Sequence, residues 1–565
     1  MCNRKVLFVI RGVALTVFSF GVHAQQLPDA GSLLRENQRQ QPQLPTPAPQ
    51  AIPKAPIAKP QSELRVTVKA FKLTGNALFT ESELQTVLAP WVGKEVGYTE
   101  LQQAADAIAN EYRRRGWFAR PQLPAQDITD GVIQINILEG KLGEVIIDDQ
   151  GKDLRISKGF VSDRMTARQK PGDPLNLDAL DRSTNLLNDT PGVAVATVLS
   201  VGQKPGETDA IVKVEDKPLL AGIVQLDNQG ARSTGENKLT VNGNFDNPFG
   251  LGDQIALSTN ASQGSQYLRI GYTLPVGRDG FRLGINTSAM QYKLIGDFKP
   301  LNAKGDAQTY GINGYYPLLR SGTRNFGLAF AVDRKNYYNE ANAVATSDKA
   351  INAAIISLTG DSLDGLGNGG MTLAGLNLTG GHVDLSATPT NQLADQNGPR
   401  TAGGYGKLGY SLSRLQRMTD KATLWATVYG QIAGKNLDSS EKMSLGGPNG
   451  VRAYPVIEGT GDDGWLTTLE ARYNFMPALQ VQAFYDHGHI KQSHNPDYVG
   501  APKTNSATYK GAGLGVSWTQ AGNFILRAVW AHRIGDNPLP NPINGKDGDG
   551  SYDLNRFWLT AIKFF

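Results

Sequence analysis

From Pro218 to Phe565, apolar and polar residues alternate with period two, in segments of about 10–14 residues broken by Gly, Asn, Asp and Pro. Leu424, Ala426, Val428 and Ile432 fall on one face, with Trp425, Thr427, Tyr429 and Gln431 on the other. Trp465, Thr467, Leu469, Ala471 and Tyr473 oppose Leu466, Thr468, Glu470 and Arg472. Leu479, Val481, Ala483 and Tyr485 oppose Gln480, Gln482, Phe484 and Asp486, while Phe557, Leu559 and Ala561 oppose Arg556 and Thr560 less cleanly. A soluble sandwich also alternates, but these segments reach the ~9–11 residues that a tilted strand needs to cross a bilayer. Their apolar faces end in aromatics and their other faces are polar, which suits a wet lumen better than a packed core. About sixteen such segments, an even number, predict a closed antiparallel membrane β-barrel over residues 218–565. Short turns such as Phe475-Met476-Pro477 alternate with polar stretches at 338–350, 384–400, 490–506 and 536–552, expected as outer loops. No helical stripe of useful length is expected in this region, and the chain ends on a strand at Phe564-Phe565.

Upstream the rhythm changes to β-α-α-β-β, stated twice. In residues 64–139, Arg65–Leu73 reads as a strand with a phase slip. Thr80 and Glu83 form a capping box. Leu101, Ala104, Ala105, Ile108 and Tyr112 make one stripe of a helix over Thr99–Arg115, and Val132–Leu138 alternates as a strand. Residues 140–217 repeat this, with strands at Leu142–Ile147, Val193–Val201 and Ala210–Glu215. Helices are expected at Lys158–Arg168 and Leu175–Leu187, the latter capped by Asn176 or Asp173. Two units of about 75 residues are an internal repeat of small α+β domains. Before them, residues 25–40 carry a short amphipathic helix, with Leu33 and Leu34 on its apolar edge and Asp29 or Ser32 as cap. Residues 41–63 form a linker, with seven prolines and no acid between 41 and 60. As a polyproline II spacer that stretch reaches about 60 Å.

Residues 1–24 read as a secretory signal. Arg4 and Lys5 precede an apolar run from Gly12 to Val22, and Val22-His23-Ala24 suits cleavage before Gln25. Removing Arg4, Lys5 and Arg11 from the 56 basic residues leaves 53 against 52 acidic ones, so no basic surplus points to nucleic acid. The single Cys is Cys2, which leaves the mature chain without thiols and excludes a disulfide framework. No metal ligand set, cofactor motif or phosphate loop is present in the pattern. No Ser-His-Asp ordering stands out, and His487 and His489 lie on a wall strand, so no catalytic residue is assigned.

One segment breaks the barrel pattern: Leu445-Gly446-Gly447-Pro448-Asn449-Gly450-Val451-Arg452-Ala453-Tyr454-Pro455. An Arg between Val451 and Tyr454 suits a loop that folds back inside the barrel, where it needs carboxylates because an unpaired confined charge is costly. Asp486, within Phe484-Tyr485-Asp486-His487-Gly488, lies on the polar register, and Glu470 is a second acceptor. A guanidinium can bridge both. These two motifs, with the linker and the two repeats, resemble the two-partner secretion transporters of TpsB type, within the superfamily that includes the BamA-like insertases. Ala453 stands where that family usually has Gly, which puts the local turn in question.

The resemblance covers the mature chain. It implies an outer-membrane β-barrel of a Gram-negative bacterium, preceded by two periplasmic POTRA domains and an N-terminal plug helix. It implies a lock in which Gly446, Gly447, Val451, Arg452, Ala453 and Tyr454 engage Asp486, Glu470, Phe484 and Gly488. Residues 25–40, including Leu33, Leu34 and Arg35, would plug the pore. The implied function is export, without ATP, of an unfolded TpsA-type exoprotein (an adhesin, cytolysin or haem-binding protein) captured in the periplasm. The other expected contact is outer-membrane lipid, around a monomer. The alternatives are an insertase, which usually carries more POTRA units, and a gated porin, which needs none.

Overall fold

The computed structural model describes residues 28–40 and 65–565. The signal region and the Pro-rich linker lie outside the described residues.

The first α+β unit contains strands Val66–Thr67, Ala70–Thr74, Glu95–Val96, Ala119–Gln122 and Val132–Glu139, and helices Glu81–Leu88 and Tyr98–Arg114. The phase slip near Val68 is real: it divides the first strand in two. Val132–Glu139 is central in its sheet, parallel to Ala70–Thr74 and antiparallel to Ala119–Gln122. Thr80 and Glu83 cap the first helix reciprocally, and the stripe from Leu101 to Tyr112 is buried. The inward face of Val132–Glu139 is Ile133, Ile135 and Ile137, whereas Leu138 is exposed. Ala119–Gln122 escapes the periodicity because Pro121 sits in it; Pro is tolerated on a sheet edge, where no ladder donor is needed.

The second unit has strands Lys141–Asp148, Val193–Val201 and Glu207–Asp216, and helices Lys158–Met165 and Leu177–Asn188. Asn176, rather than Asp173, caps the second helix by accepting from Ala179 N. This unit grips the barrel turn between strands Ser265–Pro275 and Arg282–Lys293. Asp279 accepts from Arg168 at 2.7 Å, Arg182 at 3.0 Å and Tyr316 at 2.7 Å. Partial burial alone would raise the Asp279 carboxyl, but these three hydrogen bonds outweigh it and hold it at about 2. Arg320 of the barrel forks onto Asp189 at 2.6 and 2.8 Å.

Sixteen antiparallel strands, from Leu220–Asp227 to Asn555–Phe564, close into a barrel. The last strand meets the first through the pairs Thr560↔Asp227 to Phe564↔Ile223, a shorter ladder than the one joining the first strand to the second. Leu424, Ile432, Leu469, Val481, Phe557 and Leu559 face outward and are exposed, as a lipid-facing surface requires. One loop expectation needs correction. Residues 338–350 are mostly strand: Arg324–Ala341 and Val344–Asp364 run on past the apolar band and turn at Asn342-Ala343. Both turn residues have positive φ, 51° and 62°, the geometry that a two-residue hairpin prefers. Residues 384–400 contain a helix, Pro389–Asn397, too short and polar to show a stripe. The stretches 384–400, 490–506 and 536–552 do connect strands.

The lumen holds two inserted pieces. Helix Ala30–Arg39 lies against the inner faces of strands Arg282–Lys293, Ala303–Arg320 and Arg324–Ala341. Asp29 is its N-cap, and Leu33 and Leu34 are buried among Met290, Tyr292, Tyr337 and Ile351. The second piece is the connection between strands Ala422–Ala433 and Asp463–Met476, which folds inward.

Candidate functional site: the inward loop and its wall contacts

The loop closes on itself first. Val451 N donates to Leu445 O at 2.7 Å, Gly450 N to Gly447 O at 3.0 Å, Gly447 N to Tyr454 O at 3.1 Å, and Tyr454 N to Val451 O at 3.0 Å. Gly447 has φ +100°, a region costly for any side chain. A Cβ on Gly450 would lie 1.8 Å from Leu445 O, so only glycine fits. Ala453 is not in the left-handed region, so no glycine is required there; its methyl packs on Gly511. Leu445, Val451, Ala453 and Tyr454 are fully buried in an apolar cluster with Leu466, Phe484 and Tyr509.

This compact tip presents Arg452 to the wall. Its Nε and Nη2 donate to the two oxygens of Asp486, both at 2.9 Å, and its Nη1 donates to Glu470 Oε2 at 2.7 Å. Its backbone N also donates to Asp486, at 3.1 Å. Thr468 Oγ1 donates to Asp486 at 2.9 Å, and Arg472 Nε satisfies the other Glu470 oxygen at 2.7 Å. The guanidinium lies 3.3 Å from the Phe484 ring centroid, a desolvated cation–π contact. Register explains the convergence: Thr468 faces Asp486 and Glu470 faces Phe484 across adjacent strands. Gly488 leaves room for the Leu445 side chain, which would lie 3.1 Å from a Cβ there. Every carboxylate oxygen of the pair is matched by a donor, the condition under which buried charge is tolerable.

The periodicity places Asp486 and Glu470 but misses Trp558. Its Nε1 donates to Arg452 O at 2.8 Å, from the last strand. The signal was available: Trp558 occupies the polar face with Arg556 and Thr560, an odd place for an indole with nothing to bind. Further out, Glu458 accepts from Asn537 Nδ2 at 2.9 Å and from Gly548 N at 2.8 Å. Burial pushes its carboxyl up to about 7 despite the Asn537 hydrogen bond, and Asp547 and Asp549 add to the rise.

The helix is tied to the same loop. Ser439 Oγ donates to Asp29 at 2.5 Å, Arg35 Nη1 to Ser439 O at 3.0 Å and Arg39 Nη1 to Ser444 O at 3.0 Å. Gly31 lets the helix touch Ser440, whose Cβ would lie 2.5 Å from a Cβ at residue 31. These partners are far apart in sequence and lack any shared register, so no pattern announced them.

With this geometry in view, comparison with known proteins is decisive. The profile of the haemolysin secretion/activation proteins ShlB/FhaC/HecB matches residues 206–517, and the ShlB-type POTRA domain matches residues 66–140. The chain belongs to the ShlB/FhaC/HecB family. The heme/hemopexin transporter protein HuxB of Haemophilus influenzae is 29% identical over 97% of both chains. The outer membrane transporter CdiB of Escherichia coli is 24% identical over 94% of this chain and 88% of its own. The solved structure of Escherichia coli CdiB covers 96% of this chain and all of its own, with TM-score 0.70 and 21% identity. BamA from Haemophilus ducreyi lacking POTRA domains 1–3 shares the fold at TM-score 0.51 and 16% identity, over 88% of this chain. The protein is thus an outer-membrane two-partner secretion translocator, its barrel in the membrane and its POTRA domains in the periplasm.

Proposed function

We propose that this transporter exports one secreted exoprotein through its own barrel, and that helix Ala30–Arg39 and the inward loop together shut the lumen at rest. The observation that carries this reading is that both pieces occupy the lumen and that, besides their apolar contacts, a set of polar and ionic contacts ties them to the wall and to each other. Water can replace such contacts, so they are separable in a way that an apolar core is not. The POTRA domains capture the unfolded exoprotein; the edge strand Val193–Val201 offers backbone groups to which an extended chain adds a strand. Folding outside, worth about 0.05–0.15 kcal/mol per residue, biases transit without nucleotide. Arg452 with Asp486 and Glu470 is the lock that keeps the loop in its export-competent form. The exoprotein is a haem-binding protein or a cytolysin, a reading supported by relatives named as heme/hemopexin and hemolysin transporters; an adhesin would fit the same route. One chain closes the barrel, which supports a working monomer in lipid.

Planar-bilayer conductance of the mature protein, with and without residues 25–60, tests the plug. A small, noisy current that becomes large and steady on deletion supports it. A large current in both forms removes the helix from the gate.

A further inference from the structure

Three lysines face the lumen within four consecutive wall strands: Lys335, Lys349 and, one strand further round, Lys407. Register puts them on one inner surface: Lys335 faces Ile351, Tyr337 faces Lys349, and Lys407 faces Thr379, itself opposite Ile355. All three are held by acids of the inserted pieces. Lys335 and Lys407 grip the two oxygens of Glu441 at 2.9 and 2.8 Å. Lys349 binds Asp438 at 2.8 Å and the helix cap Asp29 at 3.3 Å. The cations therefore belong to the fixed wall and these acids to the helix and loop. Asp333, two residues from Lys335, is one wall carboxylate against three lysines.

Two strands beyond Lys407, the wall is built differently. Glu470 has Arg472 on its own strand, so it retains a partner whatever the loop does. When the inserted pieces give way, the lysine strip is left in a confined lumen without their acids, and such a surface concentrates anions strongly.

We propose that this strip is a transit site for acidic polypeptide segments, on which carboxylates of the passing chain take the places of Asp29, Asp438 and Glu441. The site selects among stretches of an exported chain: Asp- and Glu-bearing segments dwell there and Lys-rich ones do not. It also explains why the resting lumen is neutralised by its own removable acids: they occupy the seats that the cargo later uses. The proposal rests on the export reading and adds a sequence preference to it.

The probe is fluorescent poly-L-glutamate, with poly-L-lysine as the opposite charge, measured by anisotropy against the detergent-solubilised chain. The test protein lacks residues 29–40 and carries D438N and E441Q, which uncovers the lysines while Arg452 still holds the loop tip. Poly-L-glutamate is expected to bind it about tenfold more tightly than it binds the full chain, at low salt. Adding K335Q, K349Q and K407Q should abolish that gain, and each single substitution should remove part of it. Heat-modifiable gel mobility confirms that every variant keeps a closed barrel. Equal binding of poly-L-lysine, or a gain that survives the triple substitution, overturns the proposal. Conductance of the same proteins separates the two readings: an unchanged current on helix deletion defeats the plug, whereas an unchanged affinity defeats the lysine strip.

Discussion

The first POTRA domain and the barrel lumen are both filled interiors with apolar clusters, but the lumen adds a set of buried ion pairs. In the domain, Leu84, Leu88, Ile108, Ile133 and Ile135 are completely buried against one another. In the lumen, Arg452, Glu470, Asp486, Lys349 and Asp438 are buried beside apolar patches and engage in pairs. An apolar core is non-directional and is lost only by unfolding. A paired polar interior depends on each partner being present, and each pair can be exchanged for water or for another charge.

The largest effect that sharpens this contrast is expected from Arg452→Glu. It places three carboxylates together in a buried site, where breaking an ion pair costs about 3–5 kcal/mol. Export should fall to background while the barrel remains inserted and heat-modifiable. Normal export by this variant would remove the lock from the mechanism. Ile108→Ala is the matching change in the domain, with a cost of about 2–5 kcal/mol from lost burial and a cavity. Protease should then cut the periplasmic region sooner while single-channel current stays unchanged. A change in current instead would mean that the two interiors are not independent.

A smaller effect concerns the joint between domain and barrel. The Asp279 carboxyl sits at about 2, below the ordinary 3.8. Its contribution is therefore present above about pH 4 and is lost as pH falls through 2. Proteolysis by pepsin at the 276–281 turn should be slow at pH 4 and accelerate towards pH 2, and D279N should be susceptible already at pH 4. The smallest effect belongs to Phe484→Leu, which removes the ring under Arg452 but no charge. A loss of about 0.5–2 kcal/mol should weaken export without abolishing it, read by the amount of cargo in the medium.

Much of this molecule was legible because a barrel wall obeys period two. Once Leu469 and Tyr485 are assigned to lipid, Glu470 and Asp486 must face inward, and the lone Arg452 has its partners. The hairpin at 338–350 has the polarity of a loop because its strands run on past the apolar band, where no lipid demands an apolar face. The ties between Lys349 and Asp438, or Arg39 and Ser444, were illegible for another reason. They join pieces that share no ladder, and only the folded chain sets them side by side.

Trp558 carries a consequence for the order of assembly. It lies on the final strand, yet its indole holds the carbonyl of Arg452, more than a hundred residues earlier. The Arg452 carbonyl gains this partner only when the last segment of the chain is in place beside strand Phe524–Arg533. Seating of the loop is thereby tied to the presence of the final wall strand.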